Sequence, residues 1–375
     1  MNTLPDHHEA TLESVCKTIA ETALEVDQQR RFPEESINAL RLAGFLGALS
    51  APDSGGLGLG LPGSARIVRR VAEECGSTAM VLTMHYCGTA VLEAYGTKDV
   101  RREAASGRHL STLAFSEAAS RSHFWVPVGS AETHNGHIVL NAAKSWVTAA
   151  SHATAYVWSS KPLAAEGLST LWLVPAAANG IKTRGPFEGL GLRGNDSLPV
   201  SAENVEVAPG TMLGGDGKGF EVMMGVVMPV FGVLSAACSN GLMAGGLRRA
   251  IEHATSTRHS DTGASLADLP TIRNYIARMQ VKADMSEALV ARTLDAIVNA
   301  QPDATLRVLE SKAAAGETSN EVLDLAMRIC GGAAYRKDVG VERYFRDARA
   351  AGVMAPTTDV LYDFIGKAVC GMPLF

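Results

Sequence analysis

Along this chain the spacing of apolar residues changes twice, and few folds accommodate the order that results. Residues 11–105 contain "TLESVCKTIAETALEVDQQ", "PEESINALRLAGFLGAL" and "PGSARIVRRVAEECGSTAMVLTMHYCGTAVLEAYG", with apolar residues three and four apart, the helical period. Pro33 before Glu34 and Glu35 marks a first helical turn. Residues 111–210 are different. "HIVLNAAKSWVT", "TAYVWSS", "STLWLVP" and "VSAENVEVA" are short and rich in β-branched and aromatic residues, and Asn135-Gly136 and Asn179-Gly180 are turn signals between them. From Gly219 the helical period returns in longer pieces, with Ile272, Ile276, Met279, Val290, Leu294 and Ile297 on one stripe. At 375 residues the chain exceeds one compact core. The reading is an α+β protein: helices over 1–110, a small antiparallel β-barrel or sandwich over 111–215, and an antiparallel four-helix bundle over 216–375.

Charge and composition narrow the function classes. A net charge of −5 gives no electrostatic case for nucleic acid or an anionic membrane surface. The start, "MNTLPDHHEATLESVCK", lacks a basic region followed by an apolar stretch, and no uninterrupted apolar run reaches membrane-span length. Cys16, Cys75, Cys87, Cys238, Cys330 and Cys370 are scattered, and read as reduced, mostly buried thiols of a cytoplasmic protein. Gly58-x-Gly60-x-x-Gly63 matches a dinucleotide fingerprint, but no strand precedes it and Pro62 interrupts it. It reads as a connection between helices. His7-His8 reads as part of a solvated polar tail, no serine sits in a nucleophile elbow, and no histidine spacing points to a metal.

Ordered motifs then add a resemblance. "FPEESINALRLAGFLGALSAPDSGGLGLG", "LAFSEAASRSH", "LNAAKSWVTAASHATAYV", "LWLVPAAANGIKTRGPFEGLGLRGNDSLPVSAENVEVAPGTMLGGDGKGFEVMM" and "RICGGAAYRKDVGVERYFRDAR" follow one another as in the acyl-CoA dehydrogenase superfamily of flavoproteins. The chain resembles that superfamily over nearly its whole length. The resemblance implies an acyl-CoA dehydrogenase-like fold, a homo-oligomer (tetramer or dimer), and flavin held between the β domain and the bundle. Phe115 and Ser116 would border the isoalloxazine, Trp146 would lie against its face, and Thr148 would reach N5. Arg258, Arg328, Gly331 and Gly332 fall at positions that reach a neighbouring subunit's pyrophosphate. Thr357 and Asp359 match residues that touch the cofactor after the family's catalytic turn. FAD is expected, with FMN possible.

The departures from the family pattern fall on the acid. Abstraction of an α-proton needs a carboxylate beside the flavin. One family position for it is Ala355 here and the other falls on or near Phe231, so both are empty of acid. Two readings are open. The first is a flavin-dependent monooxygenase, similar to the branch containing indole-3-acetate monooxygenase. It would use O2 and reduced flavin from a separate flavin reductase to oxidise a small aromatic or heteroaromatic substrate. His85, Ser122 and His123 would then be its catalytic groups, and Trp125, Phe231 and Ala355 would line its pocket. The alternative is an acyl-CoA dehydrogenase, or an acyl-thioester lyase, with a displaced base, for which Asp359 and Asp363 are the nearby acids.

Overall fold

The computed structural model describes residues 4–375. Its first unit is helical: α1 (Asp6–Gln29), α2 (Glu34–Leu42), α3 (Gly60–Ala72), α4 (Gly76–Tyr95) and α5 (Lys98–Ala105). His7 and His8 lie in the first turn of α1, with the His8 ring 6.1 Å from that of Phe45, so the expected polar tail is a helix start. The long stretch read as one helical run breaks between α3 and α4, at Glu73–Cys75. Gly76 opens α4 where a Cβ would meet the Asp347 carboxylate at 2.8 Å, so only glycine allows this approach. Gly60 opens α3 with no strand before it, so the glycine-rich motif connects helices.

Among the described residues eight strands form two four-stranded sheets: β1 (Ser111–Ala114), β2 (Ser130–His134), β3 (His137–Val147), β4 (Ala155–Ser160), β5 (Thr170–Pro175), β6 (Ile181–Thr183), β7 (Leu198–Val207) and β8 (Met212–Leu213). One sheet runs β1-β4-β5-β8 and the other β2-β3-β7-β6. Pairing is antiparallel except that β1 runs parallel to β4. The excursion through β2 and β3 returns the chain to the first sheet in the same direction, which a hairpin cannot do. Asn135-Gly136 makes the β2–β3 turn with positive φ at both residues, as a two-residue hairpin requires. Between the sheets lie Tyr156, Trp158, Trp172, Leu140, Val200 and Val205, all buried.

The third unit begins with α6 (Gly219–Val222) and a π-helical stretch over Met223–Val227. It continues as α7 (Met228–Ser256), α8 (Pro270–Val298), α9 (Ala304–Cys330), α10 (Val341–Val353) and α11 (Thr358–Val369). Short connections make successive long helices antiparallel. The continuous helix Gly219–Ser256 is long and apolar enough to cross a membrane, contrary to the expectation from uninterrupted apolar runs. Its glycines, serines and Asn240 break such a run without making the helix polar. In its most apolar window 72% of residues are buried inside the protein, as in the central helix of a bundle.

Candidate functional site

A bulge near the end of β3 sets the site's most exposed aromatic. The β3–β7 register shifts between Lys144 and Val147, and within that shift Trp146 has φ 58°. Positive φ is costly for a large side chain and concentrates at functional positions. The indole is consequently 71% exposed, on a strand whose neighbour Val147 is buried. Two residues on, Thr148 is buried, its hydroxyl 3.1 Å from that of Ser197.

The loop carrying Ser122, His123 and Trp125 is fastened to this strand by a buried ion pair. Lys144 Nζ donates to Glu117 Oε1 (2.7 Å), Ser159 O (2.7 Å) and Ser159 Oγ (2.9 Å), using all three of its hydrogens. Glu117 Oε2 accepts from the Val128 and Gly129 amides at 2.7 and 3.1 Å. Burial brings the Lys144 ammonium down to about 8, opposed by the Glu117 carboxylate. Both ends of the 117–129 loop are thereby tied to one point. The sequence signal for this pair was Lys144 on a strand of alternating burial, but its partner lies 27 residues away.

His123 and Trp125 line a cleft of about 510 Å3 together with Asp359, Asp363, Phe364, Lys367 and Phe375. Its wall is aromatic. The Trp125 ring lies 6.1 Å from Phe364 and 5.5 Å from Phe375, and the His123 ring lies 5.1 Å from Trp125. Asp363 pairs with Lys367 at 2.9 Å; among the described residues Asp359 makes no ion pair. Ser122 is half-buried and Ser116 likewise. Phe115 is buried in a stack with Phe124, centroids 6.3 Å apart, so its ring belongs to the core. Thr357 is the cap residue of α11, and its side chain makes no capping bond to its own helix.

The turn before Thr357 is held from behind. Lys312, buried in α9, donates from Nζ to Met354 O (3.0 Å) and Pro356 O (2.8 Å), the carbonyls on either side of Ala355. The same ammonium stands 5.5 Å from the centroid of the Phe231 ring on α7. Burial lowers its pKa to about 7. Sequence reading passed over Lys312, although Leu309, Lys312, Ala315 and Ser319 fall on one buried helical stripe.

His85 is not in this region, and its expected catalytic role is corrected by the structure. It is fully buried on α4, where Nδ1 accepts from the Ser111 amide (3.1 Å) and Nε2 pairs with Leu46 O (2.9 Å). With both nitrogens occupied by main chain and its pKa lowered by burial to about 4, it is a neutral strut between helix and sheet.

The remaining expected residues sit at the other end of the bundle. Phe231 is near the start of the 29-residue α7, whereas Arg258 lies just past its end, about 40 Å away along the axis. Arg258 is exposed and donates to Gly263 O at 3.0 Å. Arg328 pairs with Asp324 at 2.9 Å near the end of α9, with both side chains largely in solvent. Gly331 closes that helix with φ 55°, and a Cβ on Gly331 or Gly332 would meet nothing within 4 Å. Thr357, held beside Phe231 through Lys312, and Arg258 therefore lie at opposite ends of the bundle.

Comparison with known proteins places this geometry. Family models match in order: acyl-CoA dehydrogenase N-terminal domain over residues 6–107, middle domain over 112–205 and C-terminal domain over 217–370. The chain belongs to the acyl-CoA dehydrogenase family. A probable acyl-CoA dehydrogenase of Mycobacterium tuberculosis is 26% identical over 98% of this chain and 96% of its own length. Cyclohex-1-ene-1-carbonyl-CoA dehydrogenase of Geobacter metallireducens is 26% identical, covering 98% of this chain and 99% of its own. Butyryl-CoA dehydrogenase from Megasphaera elsdenii superposes with TM-score 0.90 at 21% identity, covering 99% of this chain and 100% of its own. PigA, solved as an FAD complex, gives 0.89 at 17% identity, with 99% of each chain covered. Like the family, the chain is a flavin-dependent oxidoreductase.

The residues present suit such a group. An exposed indole on a strained bulge offers a flat wall to a ligand. Gly331 and Gly332 leave backbone open to a ligand's approach, as a pyrophosphate needs. Thr357 keeps its hydroxyl off its own helix.

Proposed function

We propose that this family member is an acyl-CoA dehydrogenase with a displaced base, acting on an acyl thioester while the usual acid positions carry Ala355 and Phe231. The observation that carries this reading is the cleft that gathers His123, Asp359 and Asp363 beside the retained Thr357 turn. The full-length kinship with curated dehydrogenases supports it.

Trp146, Thr148, Ser116 and Thr357 would hold FAD on one chain, with Asp359 serving as base in place of the cofactor contact the resemblance gave it, and Arg258, Arg328, Gly331 and Gly332 of a second copy would hold the cofactor's far end. The open glycines and the distance between the two groups support a homo-oligomer. When bound, the flavin supplies a two-electron acceptor for the substrate's β-carbon. The chain's own task is the proton. Asp363 is committed to Lys367, so the Asp359 carboxylate is the acceptor, with the His123 imidazole at the same cleft able to pass the proton to solvent. Trp125, Phe364 and Phe375 give the cleft an apolar wall beside that carboxylate. An electron-transferring partner protein would take the electrons onward.

A second reading, a flavin-dependent monooxygenase fed by a flavin reductase and O2, is favoured by one observation: neither acid position carries an acid, and Phe231 and Trp125 suit an aromatic substrate. Anaerobic mixing separates the two. Loss of the oxidised flavin's visible absorbance on adding a panel of acyl-CoA thioesters supports the dehydrogenase. An unchanged spectrum, together with oxygen-dependent product only when reductase and NADH are supplied, overturns it in favour of the monooxygenase.

A further inference from the structure

The two positions empty of acid are bridged by one side chain that neither reading uses. Lys312 arises from α9, its ammonium binds the carbonyls flanking Ala355 in the turn between α10 and α11, and it faces the Phe231 ring on α7. Three elements therefore meet at one nitrogen. Its three hydrogens have two carbonyl oxygens and a π face to point at, and among the described residues no carboxylate forms a salt bridge with it. Such an ammonium, only 2% exposed, is held by its surroundings rather than by a counter-ion.

The turn that Lys312 grips launches α11. Pro356 leads directly into Thr357, whose carbonyl accepts the first bond of α11 from the Leu361 amide at 2.9 Å. Asp359 lies within that first turn and lines the cleft. Among the described residues no main-chain amide donates to the Met354 or Pro356 carbonyl, and Lys312 is the partner of both. Deleting one side of a charge-assisted bond leaves the carbonyls unpaired and the turn free to move.

We infer that Lys312 is a positioning residue for the flavin, acting through the Met354–Pro356 turn to place Thr357 and Asp359, with Phe231 serving as the aromatic seat that replaces an acid. The inference rests on the flavin reading above. It goes beyond that reading in naming the group that fixes the cofactor side of the turn. It also gives a reason for Phe231: a carboxylate there would pair with Lys312 and draw it from the carbonyls, whereas an arene leaves it in place.

The test is FAD binding to refolding-competent apoprotein, followed by flavin fluorescence quenching, visible-region circular dichroism and the apoprotein's thermal midpoint. Lys312→Met should weaken FAD binding by about 10- to 100-fold and alter the visible dichroism of the fraction that binds, and Lys312→Arg should recover affinity to within about threefold of wild type. Lys282→Met, which removes an exposed ion pair with Glu321 on the same bundle, should leave both readouts unchanged. Wild-type affinity and dichroism in Lys312→Met overturn the inference, as does equal weakening in Lys312→Met and Lys312→Arg. If Lys312→Met does not fold, Lys312→Gln carries the test, because its shorter, neutral amide remains polar but cannot make both charge-assisted bonds to the carbonyls. Binding several-fold weaker than wild type is then expected, and wild-type binding overturns the inference. Failure of wild type itself to bind FAD would instead overturn the flavin reading, so the two failures are distinct.

Discussion

His85 shows how a histidine that looks catalytic in sequence becomes a strut. Its two ring nitrogens are both taken by main chain, and burial lowers its pKa from 6.5 to about 4. Because the unfolded chain protonates first, its contribution to stability is complete above pH 6.5 and is lost as pH falls toward 4. His109 titrates over the same range for the same reason. His85→Asn should therefore flatten the acid side of a urea-unfolding profile measured from about pH 7 to 4. Lys312 acts with the same sign in a higher window: its pKa is lowered from 10.5 to about 7, so stability should rise with pH between about 7 and 10.5. Lys312→Met should reduce that rise, leaving the part between about 8 and 10.5 that Lys144 contributes. The Lys144–Glu117 pair makes a third case. Glu117→Ala should cost about 3–5 kcal/mol in chemical denaturation, since it strands a buried ammonium. None of these roles was legible residue by residue, because each depends on a partner from a distant element that no local period reveals.

At the scale of elements, much more was legible. The helical stripes of α8 and α9, the hairpin at Asn135-Gly136 and the alternation of β3 and β7 each arise from local spacing. The parallel pairing of β1 with β4 was not, since it depends on where an excursion of some forty residues returns. Nor was the bulge at Trp146, where alternation alone would have left the indole on a regular strand face. The bulge carries a prediction. Trp146→Ala removes an exposed wall but keeps the Cβ that makes φ 58° unfavourable, so FAD affinity should fall about tenfold while the apoprotein's thermal midpoint stays level. The loop over 117–129 is tied at both ends, so the placement of His123 and Trp125 should depend on the Glu117 anchor.

For the whole molecule, the sequence order of helical, β and helical units led to the family, and three domain models in the same order establish it. The two ends of α7 then separate Thr357, held beside Phe231 through Lys312, from Arg258. A site built from both ends requires two copies, so mixed oligomers should complement. Trp146→Ala and Arg258→Ala subunits, each weak in FAD binding alone, should regain a fraction of strong sites when unfolded together and refolded. The substrate side was legible as an absence, Ala355 and Phe231 in place of acids, and the cleft brings Asp359, one of the two nearby acids in the sequence, together with His123. The decisive measurement is anaerobic titration of the FAD-loaded protein with acyl-CoA thioesters of graded length, compared with its Asp359→Asn variant. Wild type should lose its visible flavin absorbance with at least one thioester, and Asp359→Asn, still loaded with FAD, should lose it about a hundredfold more slowly or worse. A wild-type spectrum untouched by every thioester, or an Asp359→Asn variant that bleaches at the wild-type rate, would contradict a base displaced to this cleft.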